Sequence, residues 1–204
     1  MVAKSNSDIF MVFVDGKPGL EEPYAKWFCG EHMTDMIGLP GVDTAHAFHL
    51  STLDGEPSPA GLCALYDTEN GGKLLATIGK TKGTDTLPHS EIQGKMVWRM
   101  LQTVERSGLD SPADRLAPVI ICMFSGPWDS AAEAKLWDWL GSAGLSVAAV
   151  RQTSISPVQP SRGREYEGIL LLTLSAGADP DAIVSAVKDH RGDASARFLL
   201  AEPG

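Results

Sequence analysis

The sequence predicts an α+β protein whose two similar halves close a barrel-like sandwich around a shared interior, and three observations carry that prediction. Short β-rich runs alternate with longer helical ones as strand, helix, strand, strand, helix, strand, and this order is written twice. Letters repeat as well: IFMVFVDG ending at Gly16 answers VIICMFSG ending at Gly126, and Trp27 answers Trp137 at the same offset of 110 residues. Finally, Ile9–Val14, Val119–Phe124 and Ile169–Leu172 are apolar at consecutive positions, the mark of strands covered on both faces. Helices can cover one face, so the other is expected to meet the matching sheet of the other half. The repeat divides the chain into 1–108 and 109–204.

Strands are expected at Ile9–Asp15, Val42–Ser51, Ala60–Asp67, Lys95–Glu105, Val119–Ser125, Leu145–Ser154, Glu167–Leu174 and Ala196–Glu202. The first helix, Leu20–Ile37, tolerates Pro23 in its first turn and is stopped by Gly38, Pro40 and Gly41. A second, Gly71–Lys80, carries three glycines that weaken its propensity. Ser130–Ala143 and Pro180–Arg191 follow, the latter with Asp179 placed to cap it.

Composition narrows the function classes. With 26 acidic against 17 basic residues the net charge is −9, so no broad basic face is available for a phosphate backbone and nucleic acid is a poor partner. The apolar run Ile9–Val14 stops at Asp15 and Gly16, too short for a membrane span or a signal-peptide core, which makes a cytoplasmic location the expectation. Cys29, Cys63 and Cys122 are odd in number and sit in apolar sequence, as reduced, buried packing thiols do. No His-x-x-x-His or Cys-x-x-Cys pair suggests a metal. The segment ENGGKLLATIGKTKGTD lacks the ending of a phosphate loop, and no Gly-x-Gly-x-x-Gly run follows a strand. Arg162 and Arg164 read as solvated loop charges more readily than as a carboxylate clamp.

The informative segment is the first helix. Leu20, Tyr24, Trp27, Phe28 and Met36 recur at spacings of three and four and make one apolar stripe, and His32 lies four residues from both Phe28 and Met36. His32 is therefore expected to point inward. There it is either a satisfied core residue or a proton-handling group in a pocket walled by Trp27, Phe28, Met36 and Phe48. In the second case burial lowers its pKa and a neighbouring carboxylate raises it, which together hold it near the working pH. Asp35 is the better candidate to orient it, although a solvated helix-end carboxylate is the plainer reading. Tyr24 can offer a phenol to a developing oxyanion, although it too is first a core aromatic. His46 and His49 face opposite ways on one strand, and His46, sharing a face with Phe48 and Leu50, is the one expected to line the barrel.

The run YAKWFCGEHMTDMIGLPGVDTAHAFHL after a strand resembles the pattern of dimeric α+β barrel proteins of the EthD-like and stress-responsive type, with an aromatic, an acidic-His pair and a Pro-Gly-Val turn before the second strand. The resemblance implies a ferredoxin-like βαββαβ unit in each half. It extends through VWRMLQ in the first half and holds only in outline in the second, where PWDSAAEAKLWDWLGSAGLSVAAV keeps a tryptophan without the Glu-His pair or the Pro-Gly turn. Chemistry is thereby assigned to the N-terminal half. Members of such families include lactone isomerases, polyketide-modifying enzymes, cofactor-free or haem-dependent oxygenases and proteins of no known activity.

Three functions of different class follow. The first is a cofactor-independent isomerase, lyase or hydrolase acting on a small aromatic, lactone or polyketide-like carbonyl compound, with His32 as acid or base. The second is a small-molecule-binding or stress-response protein with the same cavity and no turnover. The third is a monooxygenase of related fold, cofactor-free or with a histidine on haem iron. A fused pair of units can close the barrel within one chain, and a homodimer remains compatible with it.

Overall fold

A computed structural model describes residues 8–108, 117–125, 135, 138–139, 147–157, 166, 168–191 and 196–204. Its strands are β1 (Asp8–Gly16), β2 (Thr44–Thr52), β3 (Leu62–Thr68), β4 (Gln93–Gly108), β5 (Val119–Phe124), β6 (Val147–Ile155), β7 (Gly168–Leu174) and β8 (Arg197–Pro203). They form one closed antiparallel barrel in the order β1-β3-β2-β8-β5-β7-β6-β4. The four strands of either half run in the same sequence, β4-β1-β3-β2 and β8-β5-β7-β6. Strand β4 outruns its expected end because it changes partner, pairing β1 through Gln102 and then β6 from Leu101 to Gly108. One junction between the halves is made by that handover; the other is the pairing of β2 with β8.

Consecutive apolar residues in the strands have two destinations. Met11, Phe13, Leu65, Ile121, Leu171 and Leu199 belong to one cluster that draws on strands of both halves and fills the barrel. Phe10, Val12, Val14, Ala64, Tyr66 and Met100 point the other way, beneath the N-terminal helices. These are α1 (Glu21–Trp27), a π-helical turn (Phe28–His32) and α2 (Met33–Ile37), which run on from one another, and α3 (Gly71–Thr81). In the C-terminal half α4 (Pro180–Arg191) covers Ile120, Leu170 and Leu172 with Ile183, Val184 and Val187. Asp179 caps it, its carboxylate accepting from the amides of Asp181 and Ala182 at 3.0 and 3.3 Å. The expected helix Ser130–Ala143 lies almost wholly outside the described residues.

Helix α3 forms despite its glycines. The Asn70 side chain accepts from the Lys73 amide at 2.9 Å, and Gly71 donates its amide to Asp8 at 2.8 Å where a Cβ would collide with Met100. The three cysteines are free thiols, but Cys29 is half-buried rather than buried, packed partly against the cluster beneath the helices.

Charged side chains tie the halves together. Asp67 on β3 pairs with Arg151 on β6 at 2.6 Å and accepts from the Thr44 hydroxyl at 2.6 Å. Asp54 in the loop after β2 pairs with Arg197 at 2.8 Å and also accepts from the Phe198 amide at 3.0 Å. Burial alone would raise the Asp54 carboxyl, but the hydrogen bonds from Thr52, Arg197 and the Phe198 and Glu56 amides outweigh it and hold the pKa well below the usual carboxylate range. A depressed pKa means that this carboxylate stabilises the fold above about pH 4 and that the contribution is lost as pH falls below it. In urea melts, wild type should exceed Asp54→Asn at pH 7 by about 2 kcal/mol, and the gap should narrow as the pH is lowered below about 4.

Two backbone approaches seat the first helix. A Cβ on Gly16 would lie 2.8 Å from the Leu20 carbonyl and 2.9 Å from the Tyr24 Cβ, and one on Gly94 would lie 2.6 Å from the Gly16 carbonyl. Neither neighbour is the free end of a flexible side chain. Gly16→Ala should therefore destabilise by about 2 kcal/mol, whereas Gly30→Ala, with open space around its Cβ, should be neutral or stabilising in the same denaturation assay.

Candidate functional site

The expected helix is present, but not as a uniform α-helix. Between α1 and α2 the π-helical turn winds more loosely, bringing residue i+5 beside residue i. The Trp27 and His32 rings, five residues apart, consequently meet at 4.8 Å between centroids, while His32 still stacks on Phe28 at 5.2 Å with planes 21° apart. Tyr24 continues the stack onto Phe28 at 5.7 Å. The Thr34 hydroxyl donates to the Gly30 carbonyl at 3.2 Å and so satisfies an acceptor in the widened turn.

This stack forms one wall of a cavity of about 320 Å³ between the helices and the outer face of the N-terminal sheet. The floor is Phe10, Val12, Val14, Tyr66, Met96 and Trp98; Phe10 packs edge-on against Trp98 at 5.5 Å and stacks on Tyr66 at 5.7 Å. Leu75, Ile78 and Gly79 of α3 make the opposite wall, and Lys82, Leu87, Pro88, His89 and Gln93 complete the lining. Tyr24, Trp27, Phe28, His32 and Met36 are thus brought together around one hollow. The hollow lies under the helices, outside the barrel.

Three residues singled out in the sequence do not join it. His46 and Phe48 lie on the inward face of β2, where Phe48 and Leu50 enter the barrel cluster, while Ala45 and Ala47 face the helices. The sheet separates them from His32, so Phe48 is no wall of this pocket. Asp35 is half-buried and is not among the lining residues. It makes no hydrogen bond to His32, whose Nδ1 is buried without a partner among the described residues. His49 faces outward and, with Asp15, Glu21 and Glu22, lines a separate cleft.

Electrostatics also depart from the expectation. Burial dominates at His32 and pulls its pKa down to about 4, against the weaker opposing influence of Asp35. At neutral pH the imidazole is uncharged. Burial, and then the Asp15 carboxylate, push the Tyr24 phenol upward, and burial does the same to Tyr66, so both remain protonated hydrogen-bond donors.

Lys82, His89, Gln93 and Trp98 were not singled out. For Trp98 a signal exists: Met96, Trp98 and Met100 alternate on β4 and mark its outer face. Lys82, His89 and Gln93 sit in or beside an irregular connection that carries no motif. A second omission is Arg99, buried with its guanidinium 5.7 Å from the Phe13 ring centroid and 5.9 Å from that of Tyr166, on the barrel side of the sheet.

No family model matches the chain, and no curated protein matches it. Solved structures do. An anthrone oxidase-like protein aligns over 100% of this chain and 94% of its own at 13% identity and a TM-score of 0.55. Chlorite dismutase from Candidatus Nitrospira defluvii aligns over 98% and 93% at 10% identity and a TM-score of 0.59. A candidate monooxygenase from Lactobacillus acidophilus NCFM aligns over 97% and 94% at 11% identity and a TM-score of 0.53. The shared feature is the α+β barrel fold of ferredoxin-like type. Among the described residues no helix is long and apolar enough to cross a membrane.

A folded-state pKa lowered from 6.5 to about 4 makes His32 a pH sensor of stability. The unfolded imidazole binds a proton near pH 6.5 and the folded one resists until about pH 4, so its contribution is complete above pH 6.5 and lost as pH falls. Relative to His32→Gln, wild type should lose about 3 kcal/mol across that interval, and the His32 ring signals in NMR should titrate well below those of an exposed histidine.

Proposed function

We propose that the cavity beneath the N-terminal helices is the active site of a cofactor-independent enzyme that abstracts a proton next to the carbonyl of a small aromatic or polyketide-like molecule. The observation that carries this reading is the buried, unpartnered Nδ1 of an uncharged His32 set in an aromatic hollow. A structural histidine ordinarily has its ring nitrogens satisfied. Phe10, Phe28, Tyr66, Trp27 and Trp98 suit a flat, unsaturated ligand. In the reading, His32 takes the proton from carbon, the electrons of the broken carbon–hydrogen bond form a carbon–carbon double bond while the carbonyl π pair moves onto oxygen, and Tyr24 donates a hydrogen bond to the resulting enolate. The negative charge developing beside the imidazole raises its affinity for the proton as the transfer proceeds. Return of the proton to a different carbon completes an isomerisation. Asp35 acts from a distance, as a weak counterweight to burial.

A second reading shares the first step and is supported by neighbours named as monooxygenase and anthrone oxidase-like. The enolate passes one electron to molecular oxygen, the resulting radical and superoxide join as a peroxide anion that takes up the proton held by His32, and loss of water, with the second hydrogen leaving that carbon as the oxygen–oxygen bond breaks, leaves a new carbonyl. Haem does not suit this cavity. Its volume of about 320 Å³ is near the bottom of the range for small-molecule sites, roughly 300–1,000 Å³, which is room for two or three fused rings. Trp27 and Phe28 also pack against the ring of His32. The matching strand order of the two halves supports treating the chain as two fused ferredoxin-like βαββαβ repeats of the EthD-like kind, with the chemistry in the first.

The test follows solvent deuterium entering the carbon next to the carbonyl of 2-tetralone by NMR, under nitrogen and in air. Wild type should catalyse exchange under nitrogen, and His32→Gln should lose about 10²- to 10⁴-fold while remaining folded by circular dichroism at the assay pH. Equal exchange by the variant would remove His32 from the chemistry.

A further inference from the structure

We infer that the cavity selects a ligand carrying a carboxylate, seated with its rings among the aromatic walls and its charge at Lys82 and His89; this rests on the cavity being the ligand site. The chain carries 26 acidic residues, yet among the described residues no carboxylate lines the cavity. Its ionisable lining consists of two tyrosines that stay protonated, the uncharged His32, and Lys82 with His89. A hollow in an acidic protein whose one fixed charge among the described residues is positive is complementary to an anion.

The placement of these groups is also ordered. Lys82 and His89 are both exposed, and Gln93 is half-buried, whereas the aromatic lining lies deeper, with Tyr24, Phe28 and Tyr66 almost fully buried. The polar groups therefore form a mouth and the aromatics an interior. The mouth is built: Leu87 is buried, its carbonyl accepts from the Gly83 amide at 2.8 Å, and its own amide donates to the Thr84 carbonyl at 3.2 Å. Gly83 takes a positive φ of 82°, which suits glycine and tightens the turn behind Lys82. Among the described residues neither the Lys82 ammonium nor the His89 ring has a hydrogen-bond or ion-pair partner, so both donors are available to a ligand. A carboxylate accepts from several donors at once and fits this pair, with the Gln93 amide beside them. A carbonyl on the same ring system would then enter toward His32, and the charge at the mouth would fix which end goes in first.

Titration of the purified chain with 2-naphthoate and with the isosteric, uncharged 2-naphthamide, read by quenching of tryptophan fluorescence, tests this. Wild type should bind naphthoate about tenfold more tightly than the amide, and added salt should shrink the difference. Lys82→Met, which keeps an apolar stem of similar length, should lose most of that preference through weaker naphthoate binding. Equal binding by wild type, or an undiminished preference in Lys82→Met, would overturn carboxylate selection while leaving the cavity as a ligand site. Failure of both probes to quench would overturn the cavity itself as an aromatic site, and the inference with it.

Discussion

Strands that are apolar on both faces have to be covered twice, and that requirement organises this molecule. In β1, Ile9, Met11 and Phe13 are satisfied inside the barrel by residues from the other half of the chain. Phe10, Val12 and Val14 must find cover elsewhere, and among the described residues the helices following β1 and β3 supply it, together with Leu87 of the connection after α3. The inner demand closes the ring. The outer demand brings an aromatic helix onto the sheet, and where that helix and α3 fail to meet, the cavity remains.

Much of this arrangement is legible in the letters because it rests on periodicity. Two-faced strands such as Val119–Phe124 announce a doubly covered sheet, and the three- and four-residue spacing of Tyr24, Phe28, His32 and Met36 announces a shared helix face. Less legible is anything that depends on which side of a strand faces what. Alternation groups His46 with Phe48 and Leu50 but does not say whether their common face meets helices or barrel, and the structure puts them inside, away from His32. The π-helical turn is hidden for a different reason. It adds a contact between Trp27 and His32 that a regular helix forbids, and no residue in FCGEH demands it. Residues in irregular segments are hardest of all, since Lys82 and His89 reach the cavity through the folding of a turn rather than through any repeat.

The imidazole illustrates how magnitude decides between effects. A nearby carboxylate and a buried position act on His32 in opposite directions, and from spacing alone the two look balanced. In the folded chain Asp35 stands off without a hydrogen bond while Trp27 and Phe28 pack on the ring, so burial wins. The outcome is an uncharged group surrounded by protonated phenols and aromatic faces. Such a site is prepared for an incoming molecule that brings its own polarity, whether a carbonyl that becomes an enolate or a charge held at the mouth.

The central claim is one of location: small aromatic molecules enter between helix and sheet, not into the barrel. Methionines report on both places, because Met36 and Met96 line the cavity while Met11 and Met123 lie in the barrel cluster. With carbon-13 in the methionine methyl groups, titration with 2-naphthoate should shift the Met36 and Met96 signals and leave Met11 and Met123 in place. Shifts confined to Met11 and Met123 would move the binding site to the other side of the sheet and contradict the claim.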